Sequence, residues 1–342
     1  MPERDSRRAQ GRPARRGATV PRGHQRGGLP PADRGVLQPA LFLINAEVVG
    51  LLATLAARAC PMLDRRFSRR GFWPMIEQKE ITWINAMPAI ITVLAMDPPA
   101  TRLSGRVRFV RSASAPLAPS TLRRFEEAFG IPVLETYGMT EAASMITANP
   151  LDGPRQPGYA GLAAGAEIRI VAPEGERAVS CRAFAVGQVH IRGRGVIREY
   201  AHGAPDRVIR TGAWLDTGDL GYLGADGYLF LAGRSDDVIN RGGEKVYPKE
   251  IEDFLLAQPG VPAGAGDEVL GQRPVACVVP AGSWPPNEMA DALRRACDTA
   301  LPRSKRPTVF HVVHELRLGP AGKAARRRVQ GQERGLAAAT LA

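Results

Sequence analysis

The chain has 342 residues, of which 44% are hydrophobic and 23% are charged, and its formal net charge is +12. This composition excludes a chain that is disordered along its whole length, and it supplies enough apolar residues for one large core or two smaller ones. Nine arginines against three acids in residues 1–35 account for half of the positive excess. Because the charge is concentrated in one short segment, no nucleic-acid partner is expected.

Residues 1–35 differ from the rest of the chain in composition. Gly, Pro, Arg and Ala fill 24 of the 35 positions, and no hydrophobic period of 2 or 3.6 residues is present. Burial cannot offset the entropy of ordering such a segment, so it is predicted to be disordered. The alternative is a basic arm that orders on a nucleic acid, which a steep salt dependence of binding would reveal.

No membrane span is predicted. The apolar run at residues 41–60 carries a Glu and an Arg, which is typical of a buried helix. The N-terminus lacks the apolar core of a secretory signal. The four cysteines are far apart in the sequence and form no CxxC pair, so a reduced setting is favoured and a cytoplasmic protein is expected.

Helical and extended segments alternate between Val36 and Glu135. The predicted helices lie at residues 46–57, 72–78, 88–96 and 120–129. The predicted strands lie at residues 82–84, 107–110 and 132–135. Ser120 is predicted to cap the last of these helices, and residues 111–116 are predicted to form a loop. The alternation predicts an α/β fold with a parallel sheet.

Short strands and turns dominate after about residue 155. Strands predicted at residues 167–171, 187–192 and 227–231 indicate a small β-rich subdomain. From Arg234 onward, predicted helices at 249–257 and 288–299 mix with predicted strands at 274–279 and 308–313. We therefore predict a domain boundary near residues 233–236. The predicted division is a first domain at 36–233, a second domain at 234–330 and a tail at 331–342.

Four short motifs carry the chemical information of the chain. They are Glu-Thr-Tyr-Gly-Met-Thr-Glu at 135–141, Thr-Gly-Asp at 217–219, Gly-Arg-Ser-Asp at 233–236 and Gly-Gly-Glu-Lys-Val-Tyr-Pro at 242–248. In this order, they resemble the AMP-forming adenylate enzymes, the superfamily of acyl-CoA synthetases, luciferases and peptide-synthetase adenylation domains. The resemblance implies the C-terminal half of a large parallel-sheet adenylating domain with a small β-rich subdomain, followed by a small mobile α+β C-terminal domain.

The resemblance implies a nucleotide site that follows the predicted strand at 132–135. Tyr137 would stack on adenine, Gly138 belongs to the same nucleotide-binding motif, and Thr140 would donate to a phosphate. Glu141 would hold Mg²⁺, which prefers one or two carboxylates together with phosphate oxygens. Thr140 and Glu141 would thereby contribute to catalysis. The alternative is an ordinary strand and turn with a buried tyrosine and a solvated glutamate.

Three further segments complete the implied nucleotide site. Ser114 and Ala115 resemble the small-residue loop that lies beneath the adenine in this family. Asp219 resembles the acid that accepts hydrogen bonds from the ribose hydroxyls, and Arg234 would help to hold ribose and phosphate. The alternative for the last two residues is a turn aspartate with a surface arginine.

The implied catalytic cycle also uses residues of the second domain. Asp236 matches the hinge about which the small domain rotates, and Gly242 and Gly243 match glycines that pass beside the thiol-carrying arm of CoA. Lys323 resembles the catalytic lysine, a mobile charge that bridges the carboxylate and the α-phosphate. The alternative for Lys323 is one more cation in a basic tail.

Two departures from the family pattern are visible. No Ser/Thr/Gly-rich loop ending in lysine precedes Leu41, although the family uses such a loop to cradle the β- and γ-phosphates. The resemblance therefore covers residues 36–330, and a shifted reading frame in a GC-rich gene is a hypothesis for residues 1–35. Residues 261–267 lack the apolar strand that the family places there, so the small domain is expected to be one strand short.

The sequence of residues 41–49, 113–117 and 148–155 resembles acyl-CoA synthetases of short acids, including oxalyl-CoA synthetase-like members. The predicted function is that of an AMP-forming acid:CoA ligase that uses ATP, Mg²⁺, coenzyme A and a small carboxylic acid. It would form an acyl-adenylate and pyrophosphate, and then a thioester and AMP. The alternative is a catalytically impaired remnant that at most binds adenylate or CoA.

Overall fold

The computed structural model describes most of the chain between residues 29 and 313. The described ranges are 29–38, 41–64, 67–96, 98, 103–172, 183–200, 210–241, 244–261, 266–270, 273–280 and 284–313. Most of the segment predicted to be disordered lies outside these ranges. Within it, Asp33 is buried and Arg34 begins the first strand, so the sheet starts before the predicted boundary at residue 36.

The first sheet has seven strands. In chain order they are β1 (Arg34–Leu37), β2 (Cys60–Leu63), β3 (Trp83–Ala86), β4 (Phe109–Ser112), β5 (Val133–Tyr137), β6 (Thr147–Ala148) and β7 (Leu162–Ala163). The order across the sheet is β2-β1-β3-β4-β5-β6-β7. Strands β1 to β5 are parallel to their neighbours, and β6 and β7 add an antiparallel edge. The predicted α/β fold with a parallel sheet is confirmed, while β1 and β2 were not predicted.

The helices that accompany this sheet alternate with its strands. They are a π-helix (Asn45–Leu52), α1 (Ala53–Ala56), α2 (Arg69–Gln78), α3 (Pro88–Met96) and α4 (Pro119–Phe129). The helix predicted at 46–57 therefore begins as a π-helix and ends one residue earlier. The predicted bounds of α3 are confirmed.

The predicted cap of α4 is wrong. The N-cap residue is Ala118, because Pro119, with its fixed φ and missing N–H, takes the first helical position. Ser120 therefore lies inside the helix. Its hydroxyl donates to the carbonyl oxygen of Leu256 at 3.2 Å, in the C-terminal part of the chain.

Both faces of the first sheet are covered. One face packs against α2, α3 and α4 through a cluster that includes Phe72 and Phe125. The opposite face carries Leu37, Trp83 and Phe109, and the Trp83 and Phe109 rings stack with their centroids 5.8 Å apart. Side chains alternate between the two faces along each strand, so neighbouring positions of β4 serve different cores.

A second sheet forms the β-rich subdomain. Its strands are β8 (Glu167–Val171), β9 (Gly187–Arg192), β10 (Arg210–Thr211), β11 (Trp214–Leu223) and β12 (Leu229–Arg234). The order is β10-β11-β9-β8, and β12 pairs with β11. The predicted strands at 167–171 and 187–192 have the bounds that were predicted, and β12 lies two to three residues further along the chain than predicted.

The C-terminal part mixes helices and strands as predicted. It contains β13 (Ile239–Arg241), β14 (Glu244–Val246), α5 (Pro248–Leu256), β15 (Gly266–Leu270), β16 (Arg273–Val278), α6 (Pro286–Ala300) and β17 (Val309–Val312). Strands β15, β16 and β17 form a three-stranded sheet. Strand β15 was not predicted, and its first two residues, Gly266 and Asp267, lie inside the segment 261–267 that was expected to lack a strand. In the described part of the chain, no helix has the length and apolar character that crossing a membrane requires.

Candidate functional site

The motif residues converge at one edge of the first sheet. Strands β3, β4 and β5 are parallel, with Ala86, Ser112 and Glu135 as register partners near their carboxyl ends, and β5 continues for two more residues to Tyr137. In open α/β sheets, ligands bind outside the carboxyl ends of the strands. The loops that leave these strands contain Ser114, Ala115, Gly138, Thr140 and Glu141, all predicted site residues.

Tyr137, Asp219 and Arg234 form a hydrogen-bonded cluster at this edge. The Tyr137 hydroxyl donates to Asp219 Oδ2 at 2.5 Å, and the Arg234 guanidinium donates to Asp219 Oδ1 at 3.0 Å. Asp219 and Arg234 are register partners on the antiparallel pair β11–β12. The guanidinium also donates to the carbonyl of Thr217 at 3.2 Å. Two strands of the subdomain thus present a carboxylate and a cation to the tyrosine of the first sheet.

The protonation states of this cluster follow from its contacts. Burial and the adjacent Asp219 carboxylate raise the pKa of the Tyr137 phenol well above 10, so Tyr137 remains a donor at physiological pH. Burial alone would lower the pKa of Arg234, but the Asp219 carboxylate raises it above its ordinary value. The guanidinium is therefore charged at neutral pH, and it pairs with Asp219, whose side chain is 14% exposed.

The loop after β5 folds back on itself. A Cβ at Gly138 would lie 1.3 Å from the carbonyl oxygen of Ser144, so only glycine permits this close approach. Thr140 and Glu141 lie in the 3₁₀ turn Thr140–Ala142. The Tyr200 hydroxyl donates to Glu141 Oε1 at 2.6 Å. Tyr200 was not predicted, since it lies in no motif and is 59 residues from its partner.

A buried polar cluster lies beneath the loop at 112–116. The Arg111 guanidinium donates to Asn45 Oδ1 at 2.6 Å and to Asn85 Oδ1 at 2.9 Å, and the Asn45 amide donates to Ser114 Oγ at 3.3 Å. Arg111 was predicted to lie in the loop, but it belongs to β4 and is 3% exposed. Burial lowers the pKa of Arg111 to about 9. The sequence around Arg111, rich in Ser and Ala, gave no sign of this burial.

The remaining predicted site residues lie at or beyond the end of β12. Asp236 is exposed in the 3₁₀ turn Ser235–Asp237, at the predicted domain boundary. Gly242, Gly243 and Lys323 lie outside the described residues. Within the described ranges, no group of three or more His, Cys, Asp or Glu side chains is arranged to hold a metal ion.

Comparison with known proteins gives matches along most of the chain. The family model described as AMP-binding enzyme matches residues 17–201, and the model described as AMP-binding enzyme C-terminal domain matches residues 250–323. The first match begins at residue 17, inside the segment that the sequence analysis left out of the resemblance. It therefore shows that the predicted start of the resemblance, at residue 36, is too late.

Individual relatives are CoA ligases. The chain is 39% identical over 318 residues to a sulfoacetate–CoA ligase of Cupriavidus necator, covering 91% of this chain and 60% of that protein. It is 36% identical over 311 residues to an oxalate–CoA ligase of Arabidopsis thaliana, covering 87% of this chain and 59% of that protein.

Among solved structures, an o-succinylbenzoate CoA synthetase of Bacillus subtilis in complex with ATP and magnesium is similar with a TM-score of 0.77 and 28% identity, covering 92% of this chain and 64% of that one. The chain thus spans about 60% of the length of the curated relatives named above.

Proposed function

We propose that this chain, which belongs to the AMP-binding enzyme family, acts as an AMP-forming acid:CoA ligase. The observation that carries the proposal is the cluster of Tyr137, Asp219 and Arg234 at the carboxyl edge of the parallel sheet. A carboxylate, a cation and an aromatic ring are the groups that a ribose, a phosphate and an adenine base respectively require.

The proposed reaction has two steps. In the first, an oxygen of the acid substrate attacks the α-phosphorus of ATP, and pyrophosphate leaves with the electrons of the broken P–O bond. In the second, the sulfur of CoA attacks the acyl carbon, loses its proton and displaces AMP. Neither step needs a covalent bond to the protein, so the chain contributes positioning and electrostatic stabilisation.

Asp219 is the proposed ribose-binding residue. Its carboxylate is already fixed by Tyr137 and Arg234, so a nucleotide would meet an acceptor that needs little reorganisation. The ring of Tyr137 would stack on adenine above Ser114 and Ala115. Arg234 would reach from Asp219 towards the phosphate.

The groups proposed to act on the phosphates lie in the next turn of the chain. Glu141, oriented by Tyr200, would hold Mg²⁺ together with phosphate oxygens, and Thr140 would donate to a phosphate. Gly138 permits the loop that carries both residues. When bound, Mg²⁺ would offset the negative charge that develops on the phosphate oxygens.

The C-terminal residues have proposed roles that follow from the family pattern. Asp236 would act as the hinge, and Gly242 and Gly243 would lie beside the CoA arm. Lys323 would place its ammonium between the substrate carboxylate and the α-phosphate. These roles need a domain that changes its position between the two steps. The exposed turn at residues 235–237 is compatible with such a movement.

The proposed acid substrate is a short carboxylic acid. The two curated relatives are named for oxalate and sulfoacetate, each of which has two carbon atoms. We propose a cytoplasmic setting, since the four cysteines lie far apart in the sequence and form no CxxC pair. No nucleic-acid partner is part of the proposal.

A second candidate is a protein that binds adenylate or CoA without completing the ligation. The observation that favours it is the composition of residues 1–35, in which Gly, Pro, Arg and Ala fill 24 positions and no Ser/Thr/Gly-rich loop ending in lysine is present. Such a protein would retain the Asp219 cluster but hold pyrophosphate poorly.

An assay for both products separates the two candidates. The purified full chain would be incubated with ATP, Mg²⁺, CoA and a panel of short acids, and AMP and acyl-CoA would be quantified by mass spectrometry. A ligase forms AMP and acyl-CoA in equal amounts, and Asp219→Asn lowers the rate by about 10- to 100-fold through one lost charge-assisted contact. AMP binding without either product would support the second candidate and contradict the first.

A further inference from the structure

Arg111 is a cation buried without a carboxylate partner. Its side chain belongs to β4, is 3% exposed, and donates to the amide oxygens of Asn45 and Asn85. In the part of the chain that the structure describes, no Asp or Glu pairs with this guanidinium. A buried charge that lacks a counter-charge is unfavourable, and most proteins pair it. A retained, uncompensated cation therefore needs an explanation.

The cluster has spare donors. Within the described chain, Arg111 Nε and Asn85 Nδ2 are both buried without a hydrogen-bond partner. Asn85 is fully buried, so bulk water does not solvate its amide. Buried polar atoms of this kind are normally satisfied. Here the unsatisfied atoms are N–H donors beside a positive charge. An oxyanion would accept hydrogen bonds from these donors and would be attracted by the charge.

The cluster is connected to the candidate active site. Asn45 accepts from Arg111 and donates to Ser114, which lies half-buried in the loop at the carboxyl edge of the sheet. Ser114 has a left-handed backbone, with φ at 76°, and Asn45 begins the π-helix. Both features are strained or uncommon backbone that occurs often at functional sites. A single side chain, that of Asn45, thus connects the loop to Arg111.

We propose that Arg111, held in place by Asn45 and Asn85, binds a second anionic group of the acid substrate. The substrate class is then short acids with two anionic groups, one of which is activated while the other stays charged. This inference rests on the proposed function, because it requires that the acid lie beside the nucleotide. The competing explanation is a purely structural role, in which Arg111 ties the π-helix to the sheet.

The test compares two ligands that differ in one charge. They are non-hydrolysable acyl-sulfamoyl adenosines, one with a malonyl group and one with a malonamoyl group, in which a primary amide replaces the terminal carboxylate at almost the same volume. Their dissociation constants would be measured by calorimetry for the full chain, with AMP as a reference ligand. The carboxylate ligand should bind at least about tenfold more tightly than the amide, since a charge-assisted contact contributes more than a neutral one.

Arg111→Met should reduce that preference to within about twofold while leaving the AMP dissociation constant unchanged. Arg106→Met is the matched control, because Arg106 is half-exposed and pairs with Glu80 at 2.7 Å, and it should keep the full preference. If Arg111→Met does not fold, Asn85→Asp serves instead. The new carboxylate would pair with the Arg111 guanidinium and make it unavailable to the ligand. The binding preference should then shift from the carboxylate ligand towards the amide ligand.

Three results would overturn the inference. Equal binding of the two ligands by the unmodified chain, with normal AMP binding, would leave the proposed function in place and refute the anionic subsite. A preference that survives Arg111→Met or Asn85→Asp would assign Arg111 a structural role only. A folded chain that binds neither AMP nor either ligand would refute the proposed function itself, and the inference with it.

Discussion

The clusters around Asp219 and Arg111 flank the same sheet edge but differ in how their charge is satisfied. Asp219 has a cation and a phenol as partners, and both of its oxygens accept hydrogen bonds. In the described part of the chain, the partners of Arg111 are two neutral amide oxygens, and Arg111 Nε and Asn85 Nδ2 are buried donors without a partner. A site that is complete in itself can orient a ligand through its remaining lone pairs. A site that lacks a counter-charge gains most when an anion arrives.

The largest effect is expected from Gly138→Ala, which removes the backbone support of the Asp219 cluster. The added Cβ would lie 1.3 Å from the Ser144 carbonyl oxygen, so the loop after Tyr137 must move. We expect the free energy of unfolding to fall by about 3 kcal/mol or more, with loss of AMP binding. Chemical denaturation measures the first quantity. Gly130→Ala is the control, because its Cβ meets no atom within 4 Å and only its positive φ is strained.

A smaller effect is expected at Glu135, a buried ionisable group on the same strand as Tyr137. Glu135 is 9% exposed and accepts from the Gly158 amide at 2.8 Å. Burial raises its pKa from 4.5 to about 8, although the Gly158 hydrogen bond and Lys249 oppose the shift. Like Arg111, it is an ionisable group whose surroundings do not fully compensate the cost of burying its charged form.

The sign of the pH dependence follows from this shift. The unfolded chain releases the Glu135 proton near pH 4.5 and the folded chain near pH 8, so the free energy of unfolding falls as the pH rises between these values. Glu135→Gln should be more stable than the unmodified chain by roughly 2–4 kcal/mol above pH 8 and equal to it near pH 4. Denaturation at several pH values measures the difference. Glu127→Gln, at an exposed position of α4, is the control, and an equal trend in both variants would refute the assignment.

Asn85→Asp makes the Arg111 cluster resemble the Asp219 cluster. The new carboxylate would supply the missing counter-charge, so we expect the free energy of unfolding to rise by about 1 kcal/mol at neutral pH. The same substitution at Asn149, whose amide donates to the Tyr159 carbonyl at 2.8 Å, should be destabilising because it removes that donor. If Asn85→Asp destabilises the chain as much as Asn149→Asp, the Arg111 guanidinium is not stabilised by a counter-charge and the comparison fails.

The smallest effect is expected from Tyr200→Phe, which removes one neutral donor from Glu141. The free energy of unfolding should fall by about 0.5–1.5 kcal/mol. Mg²⁺-dependent ATP affinity should weaken, while AMP affinity without the metal stays the same. Tyr228→Phe removes a phenol that donates to the Pro154 carbonyl oxygen and not to Glu141, and should leave the Mg²⁺ dependence intact. Loss of AMP affinity in Tyr200→Phe would place Tyr200 elsewhere in the site.

The Asp219 cluster could be predicted because its residues sit in motifs. Thr-Gly-Asp at 217–219 and Gly-Arg-Ser-Asp at 233–236 lie on two adjacent antiparallel strands, so their pairing brings Asp219 opposite Arg234. The bounds of α3 were also predictable, since Pro88 begins a run that is apolar except for Thr92. Local sequence was sufficient for α3, whereas the residues of the Asp219 cluster were assigned through the family resemblance and strand β11 was not predicted.

The Arg111 cluster could not be predicted from the sequence. Its members lie 66 and 26 residues from Arg111, and each reaches it from a different element. An arginine followed by Ser-Ala-Ser has the local pattern of an exposed loop. Its burial depends on the π-helix that covers this face of the sheet, and the twelve-residue helical pattern at 46–57 does not distinguish a π-helix from an α-helix.

The central claim, that Asp219 is the core of a nucleotide site, is tested most directly by calorimetric titration of the full chain with AMP. Asp219→Ala should weaken AMP binding by about 10- to 100-fold, the equivalent of one charge-assisted hydrogen bond. Asp291→Ala, at an exposed aspartate that pairs with Arg294 on α6, should bind AMP like the unmodified chain. A folded chain that does not bind AMP, or one that binds it equally well with Ala at position 219, would contradict the claim.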